Sequence, residues 1–135
     1  MRPEAILETA LYVTDLNRAA VFYGEVLGLE EVSRGADRHI FYGVGPGMLL
    51  LFVAEVTKTP SGPIPVPGHG AYGEGHVCFR VPGDELEAWA DRFDVEGIEI
   101  EADFHWPNGA RSIYVRDPDR NSVEFSEAML WGRPV

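Results

Sequence analysis

The sequence predicts an α+β fold of two βαβββ modules that form a curved mixed sheet around a central cavity. The first observation is a repeat: Val13 and Val81 are 68 positions apart, and Gly28 and Gly97 are 69 apart. The second is patterning, because in each half a strand-like run precedes an apolar stripe at helical spacing that stops at a glycine. A unit that recurs at a constant offset indicates internal duplication.

In the first half, residues 6–13 are rich in Ile, Leu, Tyr and Val and predict a strand. Thr14 or Asp15 then offers an N-cap for a helix that Gly28 closes. The apolar positions of that helix recur at helical spacing: Leu16, Ala19, Ala20, Tyr23, Val26 and Leu27. Three further strands are predicted over residues 29–32, 39–44 and 48–53, and the last two are joined by a turn at 45–47.

The second half repeats this order. Residues 76–81 predict a strand, and Asp84 with Glu87 predicts a capping box at the start of a helix that Gly97 closes. The apolar stripe of this helix consists of Leu86, Trp89, Ala90 and Phe93. Strands are predicted over residues 98–102, 111–115 and 122–126, with a turn at 117–121.

We expect residues 1–135 to form a single domain of two repeats, about residues 5–55 and 74–128. The Pro- and Gly-rich stretch 56–75 between them predicts an extended connection rather than a helix or a central strand. The chain has one cysteine, Cys78, which excludes an internal disulfide and a cysteine-rich zinc cluster. We expect Cys78 to be a small buried hydrophobic residue.

The composition of the chain argues against several classes of function. With 22 acidic and 11 basic residues the formal charge is −11, which opposes binding to a nucleic-acid backbone or an anionic membrane surface. The longest apolar run, residues 48–54, is far shorter than the roughly 20 residues that cross a bilayer. The first residues, 1–4, lack the features of a secretory signal, so we expect a cytoplasmic protein.

Strand alternation places three possible metal ligands on the faces turned away from the helices. Residues two apart in a strand point the same way, so His76, Cys78 and Arg80 oppose Val77 and Phe79. By the same rule Glu124 opposes Val123 and Phe125, and Glu8 is the lone charge of its strand. Glu8 and His76 are 68 positions apart, which is the repeat offset. If the sheets curl together, Glu8, His76 and Glu124 converge, and a cation would neutralise their carboxylates.

Each of these residues also has a structural interpretation. Glu8 is explained equally well as a solvated residue at a strand end, and His76 as a hydrogen-bonded core residue. Glu124 has possible ion-pair partners in Arg80 and Arg111. The residues alone leave both interpretations open.

The chain resembles the vicinal oxygen chelate superfamily, which contains glyoxalase I, extradiol dioxygenases, and fosfomycin- and bleomycin-resistance proteins. The likeness rests on residues 11–16 (LYVTDL), 22–23 (FY), 26–29 (VLGL), 75–79 (GHVCF) and 117–124 (DPDRNSVE). It covers nearly the whole chain. In that family two βαβββ modules surround a metal whose ligands come from the first and last strands of each module.

The resemblance implies a divalent metal ion, with Mn, Fe, Co, Ni, Zn and Mg not distinguished, held by Glu8, His76 and Glu124. Glu8 stands where the family commonly has histidine, and the inward positions of residues 48–53 offer only Leu50 or Phe52. The resemblance further implies that substrate oxygens chelate the metal, which stabilises an enolate or oxyanion in a lyase or isomerase reaction. Glu8 or Glu124 would then be the catalytic base.

The sequence also suggests residues that would bind a small-molecule substrate. Arg80 shares the face of His76, His69 lies between two glycines, and Trp106 and Arg111 lie at loops or strand ends. We expect an enzyme, with the lyase or isomerase preferred to a ring-cleaving dioxygenase. The competing class is a metal-free binding protein of the bleomycin-resistance type. Family likeness also implies a homodimer, with the proline-rich connection and Trp131 as candidate contacts.

Overall fold

The computed structural model describes residues 1–133, which divide into two compact units, residues 1–73 and 74–133. Each unit contains a βαβββ module with a four-stranded mixed sheet, so the predicted α+β class is confirmed. No helix in the described part of the chain is long and apolar enough to span a membrane.

The first unit has the strand order β1-β4-β3-β2. Its strands are β1 (Glu8–Tyr12), β2 (Glu30–Gly35), β3 (His39–Val44) and β4 (Gly47–Phe52), and its helices are α1 (Leu16–Ala20) and α2 (Ala54–Thr57). β1 pairs with β4 in parallel, and the other neighbours are antiparallel. The parallel pairing requires a crossover, which the helix after β1 supplies.

The first helix begins where the sequence predicts and then changes its hydrogen-bond pattern. Asp15 is the N-cap, since its side chain accepts from the Arg18 N–H at 3.1 Å. After α1 the chain continues as a π-helix over Val21–Val26, a feature that apolar spacing does not reveal. Gly28 follows with φ +72°, a conformation that glycine adopts without steric cost.

The second unit has the equivalent order β5-β8-β7-β6. Its strands are β5 (His76–Arg80), β6 (Ala102–His105), β7 (Arg111–Arg116) and β8 (Ser122–Ser126), and its helix is α3 (Leu86–Val95). β5 and β8 are parallel, as β1 and β4 are in the first unit. Gly97 ends the helix with φ +71°, and thus repeats the role of Gly28.

The predicted capping box at Asp84 and Glu87 is wrong. A 3₁₀ turn, Gly83–Glu85, precedes α3, and neither it nor α3 has a side-chain cap. The Glu85 N–H instead donates to the Pro82 carbonyl at 3.0 Å. Glu87 is turned toward the sheet, where its carboxylate accepts from Arg111 at 2.8 Å.

The strand predicted over residues 98–102 is also misplaced, because regular pairing runs over Ala102–His105. The Ile98 N–H still donates to the Phe93 carbonyl of α3 at 2.8 Å, so this residue belongs to the helix end. In the connection 56–75, α2 takes up the first two residues, contrary to the prediction. The remainder contains neither helix nor strand, as predicted.

Aromatic packing between α3 and its sheet fixes which side of β8 faces the helix. Phe125 lies 4.8 Å from Trp89 and 5.2 Å from Phe93, measured between ring centroids. Phe79 of β5 joins them at 5.5 Å from Phe125. Because Phe125 points toward α3, its neighbour Glu124 points to the opposite face of the sheet.

Candidate active site

The candidate site lies on the face of the second sheet that is turned away from α3. Glu124 of β8 is its centre, with Cys78 of β5 and Tyr114 of β7 directly opposite it in the two strand pairings. His76 and Ser112 lie on the same face, each two residues from this row, His76 toward Ser122 and Ser112 toward Ser126. The side chains of the site therefore come from three neighbouring strands of the second sheet: β5, β8 and β7.

His76 and Glu124 form a polar pair at the centre of the site. The Nε2 atom of His76 lies 3.3 Å from Oε2 of Glu124. Nδ1 of His76 lies 3.0 Å from the Ser122 carbonyl oxygen, which can only accept, so Nδ1 carries the proton. The lone pair of Nε2 is thereby directed at the carboxylate. This orientation is typical of a metal-ligating histidine, whose other ring nitrogen donates to a carbonyl.

Glu124 is 4 % exposed, so its carboxylate is largely removed from water. Its Oε1 accepts from the Ser112 hydroxyl at 2.6 Å, and Ser112 Oγ accepts in turn from the Trp106 indole N–H at 2.8 Å. Within residues 1–133 neither Arg80 nor Arg111 pairs with Glu124, which excludes the ion pairs considered from the sequence. A buried carboxylate facing an imidazole lone pair needs a cation, either a proton or a metal ion, between them.

The Cys78 side chain does not have the environment expected for it. The residue is exposed rather than buried, because it lies on the face opposite α3. Partial removal of the thiol from water, followed by the negative charge of Glu124, raises the pKa of Cys78 to about 12. The thiol is therefore protonated at neutral pH when no metal ion is bound.

Tyr114 closes the site from β7. Its ring is stacked on His76 with 6.2 Å between centroids and on Phe104 with 5.9 Å. Burial, followed by a hydrogen bond to Glu124, raises the pKa of Tyr114 to about 12. Ser112 and Tyr114 were not predicted as site residues. Their alternation with Ile113 and Val115 is the signal that could have placed them on the Glu124 face.

The remaining residues that the sequence suggested for the site do not all lie near Glu124. Trp106 is part of the Glu124 network, whereas Arg111 lies on the α3 side of the sheet and pairs with Glu87 at 2.8 Å and Asp103 at 2.7 Å. In the first unit, Nδ1 of His69 lies 2.7 Å from the Tyr12 hydroxyl. Glu8 is exposed on β1. No group of three or more His, Cys, Asp or Glu in residues 1–133 is arranged to hold a metal ion.

Sequence and structure comparisons place the chain in a family. The Glyoxalase/Bleomycin resistance protein/Dioxygenase superfamily matches residues 5–125, and the chain belongs to this superfamily. The crystal structure of a lactoylglutathione lyase from Agrobacterium tumefaciens is 43% identical, with a TM-score of 0.93 over 98% of this chain and 100% of that one. Its similarity supports a glyoxalase-type function.

More distant relatives share the fold. A virulence protein from Salmonella typhimurium is 27% identical with a TM-score of 0.70, and the match covers 94% of this chain and 98% of that one. A glyoxalase/bleomycin resistance protein/dioxygenase from Nocardioides is 23% identical with a TM-score of 0.74, over 100% and 90% of the two chains. This second likeness concerns the fold alone.

Proposed function

We propose that this protein is a metal-dependent lyase or isomerase of the glyoxalase type that acts on a small oxygen-bearing substrate. The observation that carries the proposal is the pairing of His76 Nε2 with Glu124 Oε2 at 3.3 Å, with Nδ1 held by the Ser122 carbonyl. The relative named a lactoylglutathione lyase supports the reaction class. A lactoyl thioester carries a carbonyl and a hydroxyl oxygen on neighbouring carbons, which suits chelation.

The donor set fits a divalent metal ion. One imidazole nitrogen and one carboxylate oxygen suit Mn, Fe, Co, Ni or Zn. The chemistry that such an ion supplies is Lewis-acid stabilisation of an oxyanion or enolate. Glu8 occupies the place on β1 that His76 occupies on β5, and it is the residue of the first unit that we propose as a further ligand.

In this proposal Glu124 also moves the substrate proton. Ser112 donates to Oε1, so Oε2, which faces His76 and would also ligate the metal ion, is the atom that would accept the substrate proton. Tyr114 stacks on His76 beside this carboxylate, and Trp106 donates to the Ser112 hydroxyl that holds it.

Metal analysis tests the proposal first. The protein is purified without chelator, and its metal content is compared among wild type, His76→Gln, Glu124→Gln and Glu8→Gln by elemental mass spectrometry. Near-stoichiometric metal that is lost in these variants supports the site, and His105→Gln, an exposed histidine of β6, is the matched control. Turnover is then measured by the thioester absorbance of lactoylglutathione. Metal retained in both the His76 and Glu124 variants would contradict the ligand assignment.

A metal-free binding protein is the second candidate function. It is favoured by one observation, namely that within residues 1–133 the potential ligands form a pair rather than a group of three. If the protein takes up no metal after incubation with Mn, Fe, Co, Ni and Zn, this function replaces the enzymatic one. The homodimer implied by the family likeness remains a prediction, which sedimentation velocity tests.

A further inference from the structure

The turn between β7 and β8 carries two polar side chains that are buried as deeply as core residues. Asp117 is 3 % exposed and Asn121 is 1 % exposed. Turns ordinarily lie at the surface, where water satisfies their polar groups. Buried polar groups need hydrogen-bond partners instead, so the partners of these two residues indicate what their burial serves.

The Asp117 carboxylate holds the turn in one conformation. Its Oδ1 accepts from the backbone N–H groups of Asp119 and Asn121, each at 2.9 Å, and its Oδ2 accepts from Nδ2 of Asn121 at 2.9 Å. Arg120 lies between them with φ +71°, a conformation that residues other than glycine rarely adopt. The hydrogen bonds to Asp117 therefore fix both the turn and the direction of the Asn121 amide.

The Asn121 amide connects this turn to the residue that precedes His76. Because Nδ2 donates to Asp117, the Oδ1 atom is turned the other way, where it accepts from the Gly75 N–H at 2.7 Å. The Gly75 carbonyl accepts in turn from the Ser122 N–H at 2.9 Å. Both backbone polar groups of Gly75 are thus held by two consecutive residues, Asn121 and Ser122.

These contacts set the direction of the His76 ring. Nδ1 of His76 donates to the Ser122 carbonyl at 3.0 Å, so a displacement of Gly75 relative to Ser122 would change this bond. The His76 side chain is 51 % exposed, and packing alone therefore does not fix it as it fixes Glu124. The orientation of Nε2 toward Glu124 depends on how the start of β5 is aligned with β8.

The first unit, as the repeat of the second, shows which of these contacts belong to the fold in general. Glu8 pairs with Met48 as His76 pairs with Ser122. The Met48 N–H donates to the Leu7 carbonyl at 3.2 Å, so the backbone contact after the turn is common to both units. This contact forms the parallel strand pair and does not depend on the residue that follows it.

The side-chain contact, in contrast, is specific to the second unit. The position equivalent to Asn121 is Gly47, which has no side chain that could accept from the Leu7 N–H. The turn before β4 contains two residues, 45–46, whereas the turn before β8 contains five, 117–121. The longer turn with its two buried side chains accompanies the unit that carries the histidine, which indicates a role beyond the fold.

We propose that Asn121, held by Asp117, is a positioning residue that fixes the orientation in which His76 binds a metal ion. It acts through the backbone of Gly75 and Ser122. This inference rests on the proposed function, in which Nε2 of His76 is a ligand. Residues that orient a ligating histidine commonly affect metal affinity 10- to 100-fold, so loss of the Asn121 amide should weaken metal binding by about 10-fold or more.

Four variants of the full-length protein test this role. Asn121→Gly reproduces the glycine of the first unit, where the same strand pair forms without the side chain. Asn121→Asp sets two carboxylates against each other, and Asp117→Asn sets two amide groups against each other, so each loses a hydrogen bond. The double variant that exchanges the two side chains restores a donor at position 117 and an acceptor for the Gly75 N–H at position 121.

Asn108→Ala is the matched control. Asn108 is an asparagine of the β6–β7 turn whose amide binds the backbone of Met129, Leu130 and Ala110 instead. Three quantities are measured for each protein: the Kd for Co²⁺ by competition with a chromophoric chelator, the stability by urea unfolding, and the tautomer of His76 in the metal-free protein. Imidazole nitrogen NMR gives the tautomer, with His76→Gln used to assign the signals.

We expect Asn121→Gly and both single exchanges to raise the Co²⁺ Kd about 10-fold or more and to convert His76 from the Nδ1–H form into a mixture of tautomers. The double exchange and Asn108→Ala should resemble the wild type in both quantities. Wild-type Co²⁺ affinity and an unchanged tautomer in Asn121→Gly would overturn the inference. A double exchange that recovers stability without recovering Co²⁺ affinity would also overturn it.

Failure of the proposed function is a separate outcome. If the wild type binds no Co²⁺, the function fails, and the tautomer alone decides the role of Asn121: a change in Asn121→Gly that the double exchange lacks supports positioning, and no change overturns it. If Co²⁺ is lost in His76→Gln but is bound normally by every Asn121 variant, the function is supported and the positioning role is overturned.

Discussion

The hydroxyl of Ser112 donates to Oε1 of Glu124 over 2.6 Å, and both side chains are almost completely buried. Trp106 holds the serine from the other side through its indole N–H at 2.8 Å. A carboxylate fixed through one oxygen presents its other oxygen in a single direction, here toward His76. Hydrogen bonds of this kind around a ligand commonly affect metal affinity 10- to 100-fold.

We therefore expect Ser112→Ala to weaken metal binding by about 10-fold or more, because Glu124 loses its anchor and rotates. The buried hydrogen bond to a charged group should also contribute about 1.5–3 kcal/mol to the free energy of unfolding. Metal Kd is measured by competition with a chromophoric chelator, and stability by urea unfolding.

Ser126→Ala is the matched control for this variant. Ser126 is a buried serine on the neighbouring strand whose hydroxyl lies 3.1 Å from Ser112 Oγ but donates to the Arg111 carbonyl and does not contact Glu124 directly. It should lose stability and keep its metal affinity. If both variants bind metal as the wild type does, Ser112 has a structural role only.

The face on which Glu124 lies can be predicted from the sequence, but its hydrogen bond to Ser112 cannot. The alternation of Phe125 with Glu124 places the carboxylate on the face away from α3, since one residue of each adjacent pair faces the helix. That part of the site follows from local pattern. The hydrogen bond does not, because it depends on the register that sets Ser112 opposite Ser126. Register between strands is fixed by turns and by packing across the whole sheet.

The ion pair between Arg111 and Glu87 could not be predicted from the sequence either. Each was assigned a local role from its sequence neighbourhood, as a cavity residue and as a capping residue. The fold brings them together at 2.8 Å, although they are 24 positions apart. The ion pair removes Glu87 from the helix cap and places Arg111 on the helix side of the sheet. Long-range electrostatic contacts of this kind leave no periodic signal.

This placement leads to a prediction for Arg111. Arg111→Gln should lower the free energy of unfolding by about 1 kcal/mol or less, because Glu87 and Asp103 are partly exposed and water screens both pairs. Affinity for glutathione should stay unchanged. A loss of glutathione affinity without a loss of stability would restore the substrate-binding role predicted from the sequence.

Acid unfolding gives a second test of the same contact. The hydrogen bonds from Arg111 lower the pKa of Asp103. The stability that this shift provides is present above the ordinary aspartate pKa and is lost as pH falls through the lower folded value. In Arg111→Gln the fall in stability below about pH 4 should be shallower than in wild type. Urea unfolding at pH 5, 4 and 3 measures the difference, and parallel curves would contradict it.

Two tyrosines of the first unit should respond in opposite ways to loss of their hydroxyl groups. The Tyr42 hydroxyl is buried and has no hydrogen-bond partner in the described residues, whereas the Tyr12 hydroxyl lies 2.7 Å from His69 Nδ1. An unsatisfied buried polar group is destabilising. Tyr42→Phe should therefore leave stability unchanged or raise it by about 1 kcal/mol, and Tyr12→Phe should lower it by about 1 kcal/mol. Thermal unfolding compares them, and a loss in Tyr42→Phe would indicate a bound water at that hydroxyl.

The last prediction concerns the imidazole of His39. Burial, and then the positive charge of Arg38, lowers the pKa of His39. An Arg38 guanidinium nitrogen lies 2.7 Å from His39 Nδ1, and a guanidinium can only donate, so Nδ1 accepts. Protonation of Nδ1 would place two donors against each other. The imidazole also stacks on Phe41 with 4.1 Å between centroids.

The direction in which stability changes with pH follows from the neutral state of the His39 imidazole in the folded protein. Above the unfolded pKa of about 6.5, His39 is uncharged in both states and contributes no pH dependence. As pH falls below that value, the unfolded chain binds a proton that the folded chain does not, so stability decreases until the folded pKa is reached. We expect His39→Gln to flatten the decrease between pH 7 and 5, while His105→Gln, at an exposed position on β6, should retain it. Urea midpoints measured at pH 7.5, 6.5 and 5.5 decide this, because an equal decline in wild type and His39→Gln would mean that another group carries the acid sensitivity.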